Sequence, residues 1–298
     1  MGQLDLEPLW CLQTPPEARS ECAGELSRMA ITVDAAGRAH YRLRVGEHSQ
    51  PLNAWLGHDI TLRFAGRIVC VNCQQSTRKS FGQGHCYRCF RRLARCDTCM
   101  MAPERCHYFQ GTCREPEWGE RHCFAPHVVY LASSSGAKVG ITKPSQMPTR
   151  WLDQGAVQAL PILSVASRRQ SGMVEALFRS EISDRTHWQR MLKGEVANVD
   201  LLALRDDLMT RLAPGMAALR AQFGEDNIQA HAEPSVARFD YPVLAWPDRV
   251  SAFNLDRTPQ VEGRLMGMKG QYLILDTGVI NLRKYTGYQV SVTLSSRS

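Results

Sequence analysis

Long apolar runs are missing from this chain. None approaches the roughly 20 residues a helix needs to cross a bilayer, so no membrane-spanning segment is expected. The amino terminus has neither a basic start nor an apolar stretch behind it, and carries Asp5, Glu7, Glu17 and Glu21 instead. No secretory signal is therefore expected. The expected compartment is the cytoplasm, where thiols stay reduced and free to bind metal. Cysteine is scarce over most of the length: of eleven, only Cys11 and Cys22 fall outside the stretch from Cys70 to Cys123. Acid is absent from Gln74 to Arg95, a stretch that holds Arg78, Lys79, Arg88, Arg91, Arg92 and Arg95.

What is present is a concentration of sulfur. Cys70/Cys73, Cys86/Cys89 and Cys96/Cys99 are each spaced Cys-x-x-Cys, and twelve residues separate the first pair from the second. Such a turn brings two sulfurs close enough to share an ion, and zinc takes four in a tetrahedron. Cys70, Cys73, Cys86 and Cys89 are the expected first site, with the strand-like Arg67-Ile68-Val69 leading into it like a zinc ribbon knuckle. Disulfides would need an oxidising compartment. A redox pair would stand alone at a helix start rather than three in a row. A second site draws on Cys96, Cys99, Cys106, Cys113 and Cys123, five thiols for four places. Cys96 and Cys99 with two of the other three are favoured, and His107, His122 and His127 are read as ordinary polar residues. A cross-braced pairing stays open.

A chain of 298 residues that is 44% apolar can hold two or three small domains with real cores. Its net charge is +7. The acid-free basic stretch suits a phosphate backbone, although four thiolates around one zinc sum to minus two and part of this charge can balance the metal.

Residues 1–26 read as an irregular arm. Ile31–Val33 and His40–Val45 read as a hairpin around Gly37, and Ile60, Leu62 and Phe64 mark a half-buried strand. After Cys123, His127–Ala132 and Lys138–Thr142 read as strands around a Ser-Gly turn. Pro148 opens a helix containing Arg150, Leu160–Ala166 is a third strand, and Ser171 caps a helix over 173–183. Residues 200–223 read as helix broken at Pro214, with Leu201, Leu202, Leu204, Leu208, Leu212, Met216, Leu219 and Phe223 as its core face. Beyond residue 235 the pattern is β. An echo between 55–62 and 285–292 suggests a small barrel at each end.

Val128-Val129-Tyr130 followed by Lys138-Val139-Gly140, with Arg150 on the next helix and Glu175 on a later one, resembles the GIY-YIG nuclease domain over about residues 127–190. The resemblance implies a phosphodiester hydrolase. Glu175 would bind a catalytic Mg²⁺, Arg150 would stabilise charge on the phosphoryl group, Tyr130 would act in proton transfer, and Gly140 would let backbone approach closely. Familiar members carry a second tyrosine where Lys138 stands and a histidine or tyrosine where Gln154 stands. A lysine carries protons poorly unless its pKa is depressed. Asp184, Arg185, His187 and Trp188 are expected simply to end the helix. More broadly, the chain resembles a zinc-rich bacterial family that brings no activity with it.

The expected fold is α+β. A β module (1–69) leads into a zinc ribbon-like cysteine region (70–126), a GIY-YIG-like α/β unit (127–196) and a helical then β tail (197–298). The expected function is a zinc-containing, Mg-dependent nuclease whose basic residues grip DNA or RNA. The alternatives are a zinc protein that binds nucleic acid without cutting it, or a zinc-stapled protein-interaction module. The sequence leaves the oligomeric state open.

Overall fold

A computed structural model describes residues 17–297, and in it the chain forms an α+β fold of two compact units. The first takes the described residues up to Cys89, then Leu192–Gly194 and the chain from Phe239 on. The second takes Phe90–Met191 and Glu195–Arg238. The division falls within the cysteine-rich region, so the first four of its cysteines go with one unit and the other five with the other.

In the first unit the first and last strands among the described residues share one antiparallel sheet. Its order is Arg19–Glu25, Tyr288–Ser295, Asp59–Val69, Gln260–Lys269, Tyr272–Leu275 and Gly278–Asn281, with Ser76–Thr77 also paired to Asp59–Val69. Alternation fixes the register: Leu62 stands between Val261 and Val292, and all three are buried. A second sheet of Ala30–Val33, Ala39–Val45 and His48–Pro51 turns Ala39, Tyr41, Leu43 and Val45 inward.

Two expectations are corrected here. Residues 19–25 of the supposed irregular arm are a strand paired along its length with Tyr288–Ser295; the arm's first sixteen residues lie outside the described part. The echo between 55–62 and 285–292 does not mark two barrels. Asp59–Val69 and Tyr288–Ser295 are neighbours in one sheet, because each covers an edge the other would leave open.

The second unit is built on an antiparallel sheet ordered Ile228–Ala230, Gln158–Val165, His127–Ser133 and Ala137–Thr142, with Ala237–Arg238 also paired to Gln158–Val165. His127–Ser133 is buried at every position, as a central strand covered on both faces must be. The helix Arg168–Phe178 lays Val174 and Phe178 on Val129, Leu131 and Val139. Its cap is Ser167, whose side chain accepts from the Gln170 N–H at 3.3 Å. Ser171, the expected cap, lies inside the first turn and donates to the Arg168 carbonyl. The helix therefore starts and ends earlier than its apolar spacing suggests.

Asp200 caps Leu201–Arg211, and Pro214 falls in the first turn of Ala213–Phe223, where a missing N–H costs nothing. Of the expected core face, Leu201, Leu208, Leu212, Met216 and Leu219 are buried, and Leu204 and Phe223 pack partly against them. Leu202 points to solvent.

Candidate functional site

The first unit holds a cysteine quartet. Asp59–Val69 delivers Cys70 at its end, and Cys89 sits in the short helix Tyr87–Arg92. The sulfurs of Cys70, Cys73, Cys86 and Cys89 all lie within 4.8 Å of one another, a group that can hold a metal ion such as zinc. The knuckle closes through the Gln74 N–H, which donates to the Cys70 carbonyl at 2.9 Å. Gln74 takes φ 57°, a left-handed conformation more usual for glycine. Burial alone would raise the Cys70 thiol, but the backbone N–H groups of Cys73, Cys86 and Asn72 outweigh it and favour thiolate. Burial and the neighbouring sulfurs push Cys89 up. A dication held there would favour all four as thiolates.

The second unit holds the remaining cysteines of the stretch. Cys99, Cys106, Cys113 and Cys123 line one small cavity with Asp97, His107, Tyr108, Trp118 and Gly119. Cys96, expected to join Cys99, is not part of the wall of that cavity. Residues 94–96 and 98–100 are successive single 3-10 turns with Asp97 between them. The histidines have other partners. His107 Nδ1 lies 2.8 Å from Thr112 Oγ1, His122 stacks on Trp118, and His127 Nδ1 lies 2.8 Å from the Ala125 carbonyl. Burial holds His127 down to about 4, so it stays neutral. Every described cysteine is a free thiol.

The same unit gathers the polar residues of the strand–helix part into one largely buried cluster. Tyr130 pairs with Gly140 and Ala132 with Lys138, so Tyr130 and Lys138 leave the same face of the sheet. Gly140 makes room for the tyrosine: a Cβ there would sit 2.6 Å from the Tyr130 hydroxyl. That hydroxyl donates to Gln154 Oε1 at 3.2 Å, and Lys138 Nζ donates to the same oxygen at 2.5 Å and to Thr186 Oγ1 at 2.8 Å. Arg150 and Glu175 act electrostatically on both Tyr130 and Lys138. Tyr130, Lys138, Gly140, Arg150 and Glu175 are therefore brought together.

Burial sets the protonation states there. It raises the Tyr130 hydroxyl, which Arg150 partly offsets, so the phenol stays a donor. It pulls Lys138 down to about 8, with help from Arg150 and against Asp184 and Glu175. It pushes Glu175 up to about 7; Arg179 opposes this, while Asp184 and Glu104 add to it. An amine and a carboxyl that both titrate near neutrality can each exchange a proton at working pH.

Gln154, singled out in the sequence only as a departure from the resembled domain, is the common acceptor. Other contributors carried no clear sequence signal. Thr186 holds Lys138. Glu104 reaches in from the cysteine-rich segment to pair with Arg179 at 2.8 Å. Asp184, expected only to end a helix, also faces Arg179, at 3.4 Å.

The six basic residues are all solvent-exposed, and among the described residues none forms an ion pair with a carboxylate. Arg78, Lys79 and Arg88 belong to the first unit, and Arg91, Arg92 and Arg95 to the second. No helix among the described residues is long and apolar enough to cross a membrane.

The family described as Protein of unknown function (DUF2797) matches residues 57–290, most of the chain, and the chain belongs to it. That agrees with the broad resemblance in the sequence. No curated protein and no solved structure matches the chain.

Proposed function

We propose that this member of the DUF2797 family is a zinc-containing nucleic-acid-binding protein, and that its second unit hydrolyses phosphodiesters with a divalent ion in the manner of a GIY-YIG nuclease. The observation that carries the reading is the convergence of Tyr130, Lys138, Arg150 and Glu175 around Gln154. Zinc at the first quartet follows from four sulfurs at tetrahedral-site separation.

The residues fit a hard dication at Glu175. Its carboxylate is half-buried, with Asp184 and Glu104 nearby raising the cost of its negative charge. A dication there would relieve that cost, and when bound it would polarise a phosphoryl oxygen and acidify water. The rest of the chemistry falls to side chains. Arg150 presents a planar fork to the phosphoryl oxygens. The Tyr130 phenol, tied to Gln154, orients the attacking water and relays its proton. Lys138, lowered to about 8, is the proton carrier in place of the family's second tyrosine. The exposed ring of Phe109, with Arg169 5.9 Å from its centre, offers a surface on which a base can stack.

One observation favours binding without cutting: Lys138 already donates to both Gln154 and Thr186, which is a resting structural arrangement as much as a catalytic one. Mg²⁺-dependent cleavage of plasmid and of RNA separates the readings. The nuclease requires cutting that Glu175→Ala abolishes while affinity stays within a few-fold. Salt-sensitive binding with no cleavage supports the alternative. The absence of both leaves a protein-interaction module.

A further inference from the structure

We infer that Cys99, Cys106, Cys113 and Cys123 form a second metal site, for a thiophilic dication of the zinc class, and that the ion clamps the turn Pro103–Arg105 against the helix that carries Glu175. The inference goes beyond the proposed function and stands whether or not the pocket cuts.

The cavity these four cysteines line holds about 20 Å³, room for one ion or one water and for no organic ligand. Gly119 lies against this site: a Cβ there would meet the Cys113 sulfur and the Tyr108 ring, each at 3.4 Å. The helix Pro116–Cys123 therefore packs closely against Cys113 at Gly119. Four cysteines lining so small a space suit a soft ion better than any other occupant.

The ligand atoms of Asp97, Cys99 and His107 all lie within 4.8 Å of one another, but Asp97 and His107 are each already held. Asp97 accepts from the Thr98 N–H at 2.6 Å and pairs with Arg114 at 2.8 Å, and His107 Nδ1 faces Thr112. With His107 Nε2 3.4 Å from Asp97, the two form an outer layer that orients the site rather than binding the ion. Four thiolates and a dication leave two negative charges. The Arg168 guanidinium, which acts on both Cys99 and Cys123, is placed to offset them.

The same arginine ties the site to the helix that carries Glu175. Arg168 opens the helix Arg168–Phe178 and donates to the Met100 carbonyl at 2.7 Å, next in the chain to Cys99. Further along, Gly172 lets the helix touch the turn between Cys99 and Cys106: a Cβ there would fall 2.6 Å from the Glu104 nitrogen and from Pro103. Glu104 in turn holds Arg179. An ion that fixes both ends of this turn fixes the flank of the helix on which Glu175 stands.

The test uses the full chain, purified without added metal. Elemental analysis should find two zinc ions per chain, one in each of Cys106→Ser and Cys113→Ser, and two in Cys96→Ser and His107→Ala. Thiol alkylation of the native wild-type protein, read by mass spectrometry, keeps the test decisive if a serine variant fails to fold. Cys96 should label without chelation, and Cys99, Cys106, Cys113 and Cys123 only after it. In Cys113→Ser, amide exchange over Arg168–Phe178 should quicken by roughly tenfold or more while Tyr288–Ser295 is unchanged. One ion in the wild type, loss of an ion in Cys96→Ser or His107→Ala, or equal labelling of all five thiols would overturn the site. Unaltered exchange in the helix would overturn the clamp. None of these readouts needs a substrate.

Discussion

Lys138 and Lys269 are both buried, at 3% and 1% exposure, and burial brings both down to about 8. Their surroundings differ. Lys138, in the second unit, is held by Gln154 and Thr186 and lies within reach of the charges of Arg150, Asp184 and Glu175. Lys269, in the first, faces the rings of Tyr241 and Trp246 at 5.6 and 5.2 Å, and burial alone accounts for its shift. A depressed amine is thus no mark of a site by itself. The mark is an amine whose neighbours can accept, donate or carry opposite charge.

The largest effect should come from removing the two amines in turn. Lys138→Met should lower Mg²⁺-dependent cleavage at least about 100-fold, the usual contribution of a proton-transfer group, whereas Lys269→Met should leave it within about twofold. Equal losses in a cleavage assay would break the comparison. Stability should sort them the other way. Lys269 is lowered in the folded state, so the unfolded chain binds more protons between about pH 8 and the ordinary lysine value. The wild type should therefore become more stable as pH rises through that window. Lys269→Met should remove this share of the rise and stabilise the protein at pH 7 by up to about 3 kcal/mol, less the lost cation–ring contacts. Denaturant unfolding at pH 7 and pH 10 measures both.

Gly140→Ala sharpens the contrast from the tyrosine's side. The added methyl would meet the Tyr130 hydroxyl at 2.6 Å, so a loss of roughly 1–3 kcal/mol is expected in chemical denaturation, together with reduced cleavage. The smallest effect belongs to the surface charges. Arg88→Ala should weaken nucleic-acid binding modestly and lower the slope of log affinity against log salt by about one, without altering the metal content.

Sequence and structure agree best where one local rule decides. Two Cys-x-x-Cys pairs set twelve residues apart point to the first quartet because each pair makes its own turn. The strands at 127–133 and 137–142 follow from apolar runs split by Ser-Gly. The second group of cysteines was hard to sort, since its members come from separate short segments, and only the folded chain shows that Cys99, Cys106, Cys113 and Cys123 line one cavity. Glu104 beside Arg179 was invisible for the same reason: the contact is made by packing of a glycine face, Gly172, which has no spacing signature. Residues 19–25 lack strong strand propensity and become a strand because Tyr288–Ser295 has an open edge to cover.

That pairing bears on how the polypeptide is made. Vectorial synthesis delivers the second unit, residues 90–238 apart from Leu192–Gly194, while its companion still lacks half its central sheet. Asp59–Val69 emerges from the ribosome early, yet its two long neighbours, 260–269 and 288–295, are nearly the last to appear. Until then the nascent segment that leads into Cys70 has its edges bare, and a premature stop before residue 260 would release a chain with a complete second unit and a half-built, aggregation-prone first one.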